Sequence, residues 1–150
     1  MTTLPLGRRA VMIGLSAGAA ALALAPGSAR ASKAEADELI TRLAGAKPHE
    51  GKVKLKLPEI AENGNTVPFT VSVDHPMVEG NYVTAIHVVA HDNPAPQVAS
   101  FHFTPTGKAE VYSRLRLART QEVRAVAVLS DGTAWEARKE VKVTVGGCGG

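Results

Sequence analysis

The sequence is poor in cysteine: its 150 residues contain one, Cys148. A single thiol cannot form an internal disulfide, so the chain is not a disulfide-stapled scaffold. No group of cysteine and histidine residues has the spacing of metal ligands, which argues against a metal centre. Internal repeats and low-complexity segments are also lacking after the first 31 residues. These absences predict one ordinary globular domain whose only thiol is either reactive or paired with another molecule.

Acidic residues are absent from the first 31 positions. Arg8 and Arg9 precede a stretch without charge from 10 to 29, and Ala31 completes a small-x-small cleavage pattern. This arrangement predicts a signal peptide over 1–31, cleaved after Ala31 and too short for a stable membrane span. The paired arginines favour the twin-arginine route, which exports folded proteins. We therefore expect a periplasmic protein without stable membrane anchoring after cleavage.

Removal of this leader changes the charge. The full chain carries 17 Lys and Arg against 14 Asp and Glu, but three of the arginines and none of the acids lie in the leader. The remaining 119 residues are therefore balanced, with no bulk attraction to nucleic acid or to an anionic membrane. Their number suits one domain with one core.

Beyond the leader, residues 32–145 predict a helix followed by strands. Ser32 to Ala44 has a capping-box start and an apolar face, with Gly45 placed to end the helix. Alternating apolar and polar residues then predict seven short strands: 53–57, 67–73, 82–90, 98–103, 111–117, 123–129 and 135–145. Asp131-Gly132 predicts a hairpin turn. We expect an all-β, immunoglobulin-like antiparallel β-sandwich with a short N-terminal helix; a small closed barrel is the alternative.

The five histidines, His49, His75, His87, His91 and His102, are the candidates for a metal site. His87 and His91 are four residues apart. In a strand such residues are separated by roughly 13 Å, which is too far for them to share one ion. His102 lies between two phenylalanines and should point outward while they enter the core. All five histidines are predicted to be surface residues or hydrogen bonded within the fold.

Arg114, Arg116, Arg119 and Arg124 form a basic stripe in the sequence. Because the first two alternate with leucines, the simplest interpretation is the solvent-facing side of a strand; binding of an acidic partner is the alternative. Trp135 follows the predicted hairpin turn and is expected to belong to the core.

Residues 146–150 enclose the cysteine between two pairs of glycines: Gly146, Gly147, Gly149 and Gly150. An extended arm from Val145 to Cys148 would reach roughly 10 Å, and glycines would make it flexible. Such an arm cannot hold the thiol rigidly beside a base, as nucleophilic catalysis requires. The pattern therefore predicts a covalent carrier on which other proteins act, not an enzyme; an exported module that forms an intermolecular disulfide is the alternative.

Several motifs together resemble the SoxY family, the sulfur carriers of bacterial thiosulfate oxidation. They are Pro58-Glu59-Ile60-Ala61-Glu62-Asn63-Gly64, Val67-Pro68, Val73-Asp74-His75-Pro76-Met77, Asn93-Pro94, Arg114-Leu115-Arg116-Leu117-Ala118, Thr120-Gln121 with Val123, Ser130-Asp131-Gly132 and the terminal Gly-Gly-Cys-Gly-Gly.

The resemblance implies that Cys148 carries the sulfur intermediates and that the flanking glycines form its arm. It also implies a heterodimer with SoxZ. Three enzymes would act on the carrier: the haem c enzyme SoxAX, which couples thiosulfate to the cysteine, the manganese-dependent hydrolase SoxB and, in many organisms, the sulfane dehydrogenase SoxCD. No cofactor is expected on the carrier itself. Copper or zinc delivery is a third alternative, which a missing second ligand disfavours.

Overall fold

The computed structural model describes residues 33–147. The leader, its arginines Arg8 and Arg9, the cleavage position after Ala31, and the segment Cys148–Gly150 lie outside the described residues. Within the described part, no helix is long and apolar enough to cross a membrane.

Residues 33–147 form one helix and nine strands: α1 (Lys33–Ala44), β1 (His49–Glu50), β2 (Val53–Lys56), β3 (Ile60–Asn63), β4 (Val67–Val73), β5 (Val83–Ala90), β6 (Gln97–His102), β7 (Glu110–Leu115), β8 (Gln121–Leu129) and β9 (Ala134–Val145). The larger sheet has the order β1-β9-β8-β5-β6, with β3 also paired to β9. The smaller sheet has the order β2-β4-β7. Two separate sheets make the fold a β-sandwich, as predicted, and not the closed barrel.

The core lies between the two sheets. On β4, Val67, Phe69 and Val71 alternate with less buried residues and face the larger sheet. Strand β5 is buried on both faces, because Ile86 and Val88 face β4 whereas Val89 faces the helix. The helix thus forms a third layer that covers the outer face of the larger sheet. The central strands β5 and β8 are therefore largely apolar on both faces, whereas a two-layer sandwich would leave one face polar.

Helix α1 ends where the sequence predicts. Gly45 has a φ of +71°, a left-handed conformation that suits glycine immediately after a helix. Ala36, Ile40 and Ala44 are buried and pack against Val89 and other residues of the larger sheet.

A buried ion-pair network joins this helix to the sheet. The Arg124 side chain is only 6% exposed. Its Nε and Nη2 donate to Glu136 Oε2 over 3.1 and 2.6 Å, and its Nη1 forms an ion pair with Asp37 of the helix. The hydrogen bond from Arg124 holds the pKa of Asp37 below its usual value. The sequence interpretation that grouped Arg124 with the exposed arginines was therefore wrong. Its side chain points to the face of β8 that the helix covers, and not to solvent.

The hairpin between β8 and β9 turns at the predicted Asp131-Gly132 pair. Gly132 has a φ of +83° and donates its N–H to Leu129 O over 3.0 Å. Asp131 Oδ1 accepts hydrogen bonds from both the N–H and the hydroxyl of Thr133. Trp135, just after the turn, packs partly buried against the core, as expected.

All seven predicted strands are present, with no end shifted by more than two residues. The sequence reasoning missed β1 and β3, and both pair with β9 in parallel. The antiparallel description therefore holds for the other pairs but not for these two.

Candidate functional site

Strand β9 leads to the cysteine-bearing tail, and the missed strand β3 holds its end. Pairing of β9 with its hairpin partner β8 stops at Val141. From there β3 continues beside β9, with Ala61 opposite Val143 and Asn63 opposite Val145. Gly64 N then donates to Val145 O over 2.8 Å. The base of the tail is therefore fixed by a strand far from it in sequence.

Backbone hydrogen bonds continue past the strand into the first glycines of the tail. Leu117 N donates to Gly64 O over 2.8 Å, and Gly147 N donates to Leu117 O over 2.9 Å. Three segments that are remote in sequence thus meet at Leu117: the end of β3, the loop after β7 and the tail.

Asn93 holds the loop around Leu117 from the other side. Its Nδ2 donates to Arg116 O over 2.8 Å, and its Oδ1 accepts from Ala118 N over 3.0 Å and from Gln121 Nε2 over 2.8 Å. The side chain is only 4% exposed, so these bonds form away from solvent, where an unpaired amide would be costly. We call Gly64, Asn93, Leu117, Ala118 and Gln121 the tail anchor.

Glycine is needed in this arrangement because the backbones approach closely. A Cβ on Gly64 would lie 2.3 Å from Leu117 O and 2.7 Å from Gly147 N. A Cβ on Gly146 would lie 2.3 Å from Ala118 O. Contacts under 3.0 Å to backbone atoms cannot be relieved by a side-chain rotation, so these positions exclude every other residue without a backbone shift.

The predicted arm differs from this arrangement in its first two residues. The arm was expected to leave the domain after Val145, yet Gly147 is buried and hydrogen bonded and Gly146 contacts Ala118. The cysteine itself and Gly149 and Gly150 lie outside the described residues. The two glycines before the cysteine are therefore held against the domain.

The histidines are placed as surface or hydrogen-bonded residues. His102 is exposed between Phe101 and Phe103, as predicted, and His49 lies in β1. His87 is buried, with Nδ1 2.7 Å from Ser100 Oγ. Two further histidines have hydrogen-bond partners: His75 Nε2 lies 2.8 Å from Asn81 Oδ1, and His91 Nδ1 lies 3.1 Å from Glu122 O.

Burial, and secondly the positive charge of nearby His102, lower the pKa of His87. Between residues 33 and 147, no three His, Cys, Asp or Glu side chains lie close enough together to share a metal ion.

Arg114, Arg116 and Arg119 are exposed, in agreement with the expected solvent-facing stripe. Of these, Arg114 and Arg116 flank Leu115 at the end of β7, immediately before the tail anchor. Their guanidinium groups carry positive charge within three residues of Leu117, whose carbonyl accepts a hydrogen bond from the tail.

Comparison with known proteins gives a family and a close structural relative. The family model described as "Sulfur oxidation protein SoxY" matches residues 40–148. A solved structure of the sulfur carrier protein SoxY from Chlorobium limicola f thiosulfatophilum is 37% identical, covers 76% of this chain and all of that chain, and has a TM-score of 0.65. None of the curated proteins matched.

More distant structures share the fold alone. The superoxide reductase (neelaredoxin) from Ignicoccus hospitalis is 24% identical over 62% of this chain and 80% of that one, with a TM-score of 0.56. The superoxide reductase from Nanoarchaeum equitans is 12% identical over 60% of this chain and 91% of that one, with a TM-score of 0.50.

Proposed function

The chain belongs to the SoxY family of sulfur oxidation proteins, and from this premise we propose that it is a non-catalytic carrier that holds sulfur covalently on Cys148. The single observation that carries the proposal is the tail anchor. It fixes the backbone through Gly147, one residue before the only thiol of the chain. We expect a thiol on the residue that follows this fixed point to be presented to partner enzymes at the end of the domain.

The attachment reaction is an oxidation. The Cys148 thiolate and thiosulfate form Cys–S–S–SO₃⁻, and the two electrons released pass to a haem c partner of the SoxAX type. Attack of water on the terminal sulfur then releases sulfate and a proton and leaves the persulfide Cys–S–SH, a step assigned to SoxB. SoxCD, where present, oxidises the remaining sulfur. In this scheme the carrier supplies the nucleophilic sulfur and its position, and the partners supply catalysis.

Other parts of the proposal follow from the same family. We expect a heterodimer with SoxZ and a location in the periplasm, reached by export of the folded protein through Arg8 and Arg9. Replacement of both arginines by lysine should therefore retain SoxZ as well as this chain in the cytoplasm. SoxZ that still reaches the periplasm in that strain would contradict joint export.

Intact mass spectrometry tests the carrier role. Incubation of the purified complex with thiosulfate and the coupling enzyme should add the mass of one thiosulfate, confined to the C-terminal peptide. Cys148→Ser should abolish both this addition and thiosulfate oxidation. Turnover without an adduct, or full activity of Cys148→Ser, would contradict the proposal. A reducible dimer as the active form would instead support the disulfide alternative.

A further inference from the structure

A cavity of about 370 Å³ lies beside the tail anchor. Its polar wall is formed by Arg114, Arg116, Asn65, Asn93 and Gln97, and small and aliphatic side chains complete it. No carboxylate lines it, so the two guanidinium groups give it a net positive charge. Such a cavity fits an anion rather than a neutral or cationic ligand.

The two arginines differ in what they already bind. Arg114 Nη1 donates to Thr66 Oγ1 over 3.2 Å, which holds its guanidinium at the Asn65 side of the cavity. Arg116 makes no ion pair and no side-chain hydrogen bond with any residue between 33 and 147. A planar guanidinium with unused donors is suited to binding two oxygens of a sulfonate at once.

The cavity is adjacent to the last described residue of the tail. Leu117, whose carbonyl accepts from Gly147, follows Arg116 directly. On the other side, a Cβ on Gly147 would lie 3.2 Å from the backbone nitrogen of Asn65. Cys148 Cα is about 3.8 Å from Gly147 Cα by covalent geometry. Each further S–S bond adds about 2 Å, so a sulfur adduct on the cysteine has the length to reach a site next to Gly147.

We propose that this cavity is a docking site for the anionic sulfur–oxygen group that Cys148 carries, with Arg114 and Arg116 binding the sulfonate oxygens. The inference rests on the carrier function proposed above and deepens it. Docking would shield the S–S bond of the loaded carrier from small nucleophiles between its encounters with partner enzymes. A carrier loaded with a neutral group would gain no such protection.

The adduct can be made without the coupling enzyme. The Cys148 thiolate attacks an inner sulfur of tetrathionate, one S–S bond forms and one breaks, and thiosulfate leaves with the electron pair; the product is Cys–S–S–SO₃⁻. Bis(2-hydroxyethyl) disulfide gives a neutral mixed disulfide on the same thiol by the same exchange. The rate at which dithiothreitol removes each adduct is followed by intact mass. The rate for the sulfonate adduct divided by the rate for the neutral adduct isolates the effect of the sulfonate.

Arg114→Gln/Arg116→Gln should raise this ratio about fivefold, because two partly exposed charge-assisted contacts are lost. Arg119→Gln is the matched control: it is also an exposed arginine of the same segment but does not line the cavity, and its ratio should equal that of the wild type. An equal ratio in the wild type and the double variant overturns docking but leaves the carrier function intact. Thiosulfate turnover during which Cys148 stays unmodified would instead overturn the carrier function, on which docking depends.

Discussion

Gly64 is the position at which one added methyl group should do most harm to the tail anchor. A Cβ there would lie 2.3 Å from Leu117 O, 2.7 Å from Gly147 N and 3.0 Å from Val143 Cγ1. Two of these atoms belong to the backbone, so the contacts can be relieved only by separating the segments. We therefore expect Gly64→Ala to displace the tail from the domain.

The magnitude follows from what the separation breaks. Overpacking of a close contact costs about 1–3 kcal/mol. The hydrogen bonds from Gly64 N to Val145 O and from Leu117 N to Gly64 O, both 2.8 Å, are lost or lengthened, at roughly 0.5–1.5 kcal/mol each. Because displacement relieves the clash, the two terms overlap, and we expect a loss of about 2–3 kcal/mol in the free energy of unfolding. That corresponds to a fall of roughly 8–12 °C in Tm for a domain of this size.

Urea titration and a thermal melt measure the loss, and hydrogen exchange localises it. The amide of Gly147 should exchange faster in Gly64→Ala, whereas amides in the centre of β5 should report only the change in global stability. Gly107→Ala is the control, since its Cβ would meet only Thr104 O at 3.3 Å; it should cost less than about 1 kcal/mol. Wild-type stability together with unchanged Gly147 exchange in Gly64→Ala would refute the reasoning.

Three further outcomes are expected. Asn93→Ala removes the partner of Arg116 O, of Ala118 N and of the buried Gln121 side chain, and should lower the free energy of unfolding by about 2–3 kcal/mol in urea titration. Glu136→Ala leaves the buried Arg124 with only its partner on the helix and should cost about 3 kcal/mol, against under about 0.5 kcal/mol for the exposed Glu38→Ala. The pKa of His87 is lowered in the native state, so as the pH falls through about 6.5 the histidine is protonated in the unfolded chain before it is protonated in the folded one. The free energy of unfolding should therefore fall below this pH, and His87→Gln should remove this part of the pH dependence.

The regular strands could be predicted because their residues alternate. Strand β4 shows apolar residues at every second position, and the Asp131-Gly132 pair marks the turn into β9. Strand β3 has no such signal: it is four residues long, only Ala61 is buried, and Ile60 is 60% exposed. Its partner is the end of β9, some 80 residues later, and a parallel pairing at that separation leaves no local trace in the sequence.

The sequence pattern singles out Cys148 as the reactive residue, which stays a prediction, but it does not single out the residues that hold the tail in front of it. Cys148 stands out because it is the only cysteine, whereas Asn93 resembles any loop asparagine before a proline. Its role depends on burial and on three partners from the segment 116–121, which only the fold brings together. The motifs that resemble SoxY did contain Gly64 and Asn93, so that likeness was the one available signal for the tail anchor.

The glycines before the cysteine allow close packing as well as flexibility, and this changes the reach of the carrier. A free arm from Val145 would extend roughly 10 Å, whereas a tail bonded at Gly147 leaves one Cα–Cα step of about 3.8 Å to the thiol-bearing residue. On the proposed function, a partner with a deep active site must therefore either approach the tail anchor closely or release Gly147 from Leu117. Release breaks one hydrogen bond, at a net cost of about 1 kcal/mol, which a partner interface can readily offset. The tail anchor can thus restrain the unbound tail without preventing delivery, and it does so with the same glycines that lengthen the arm once the bond is broken.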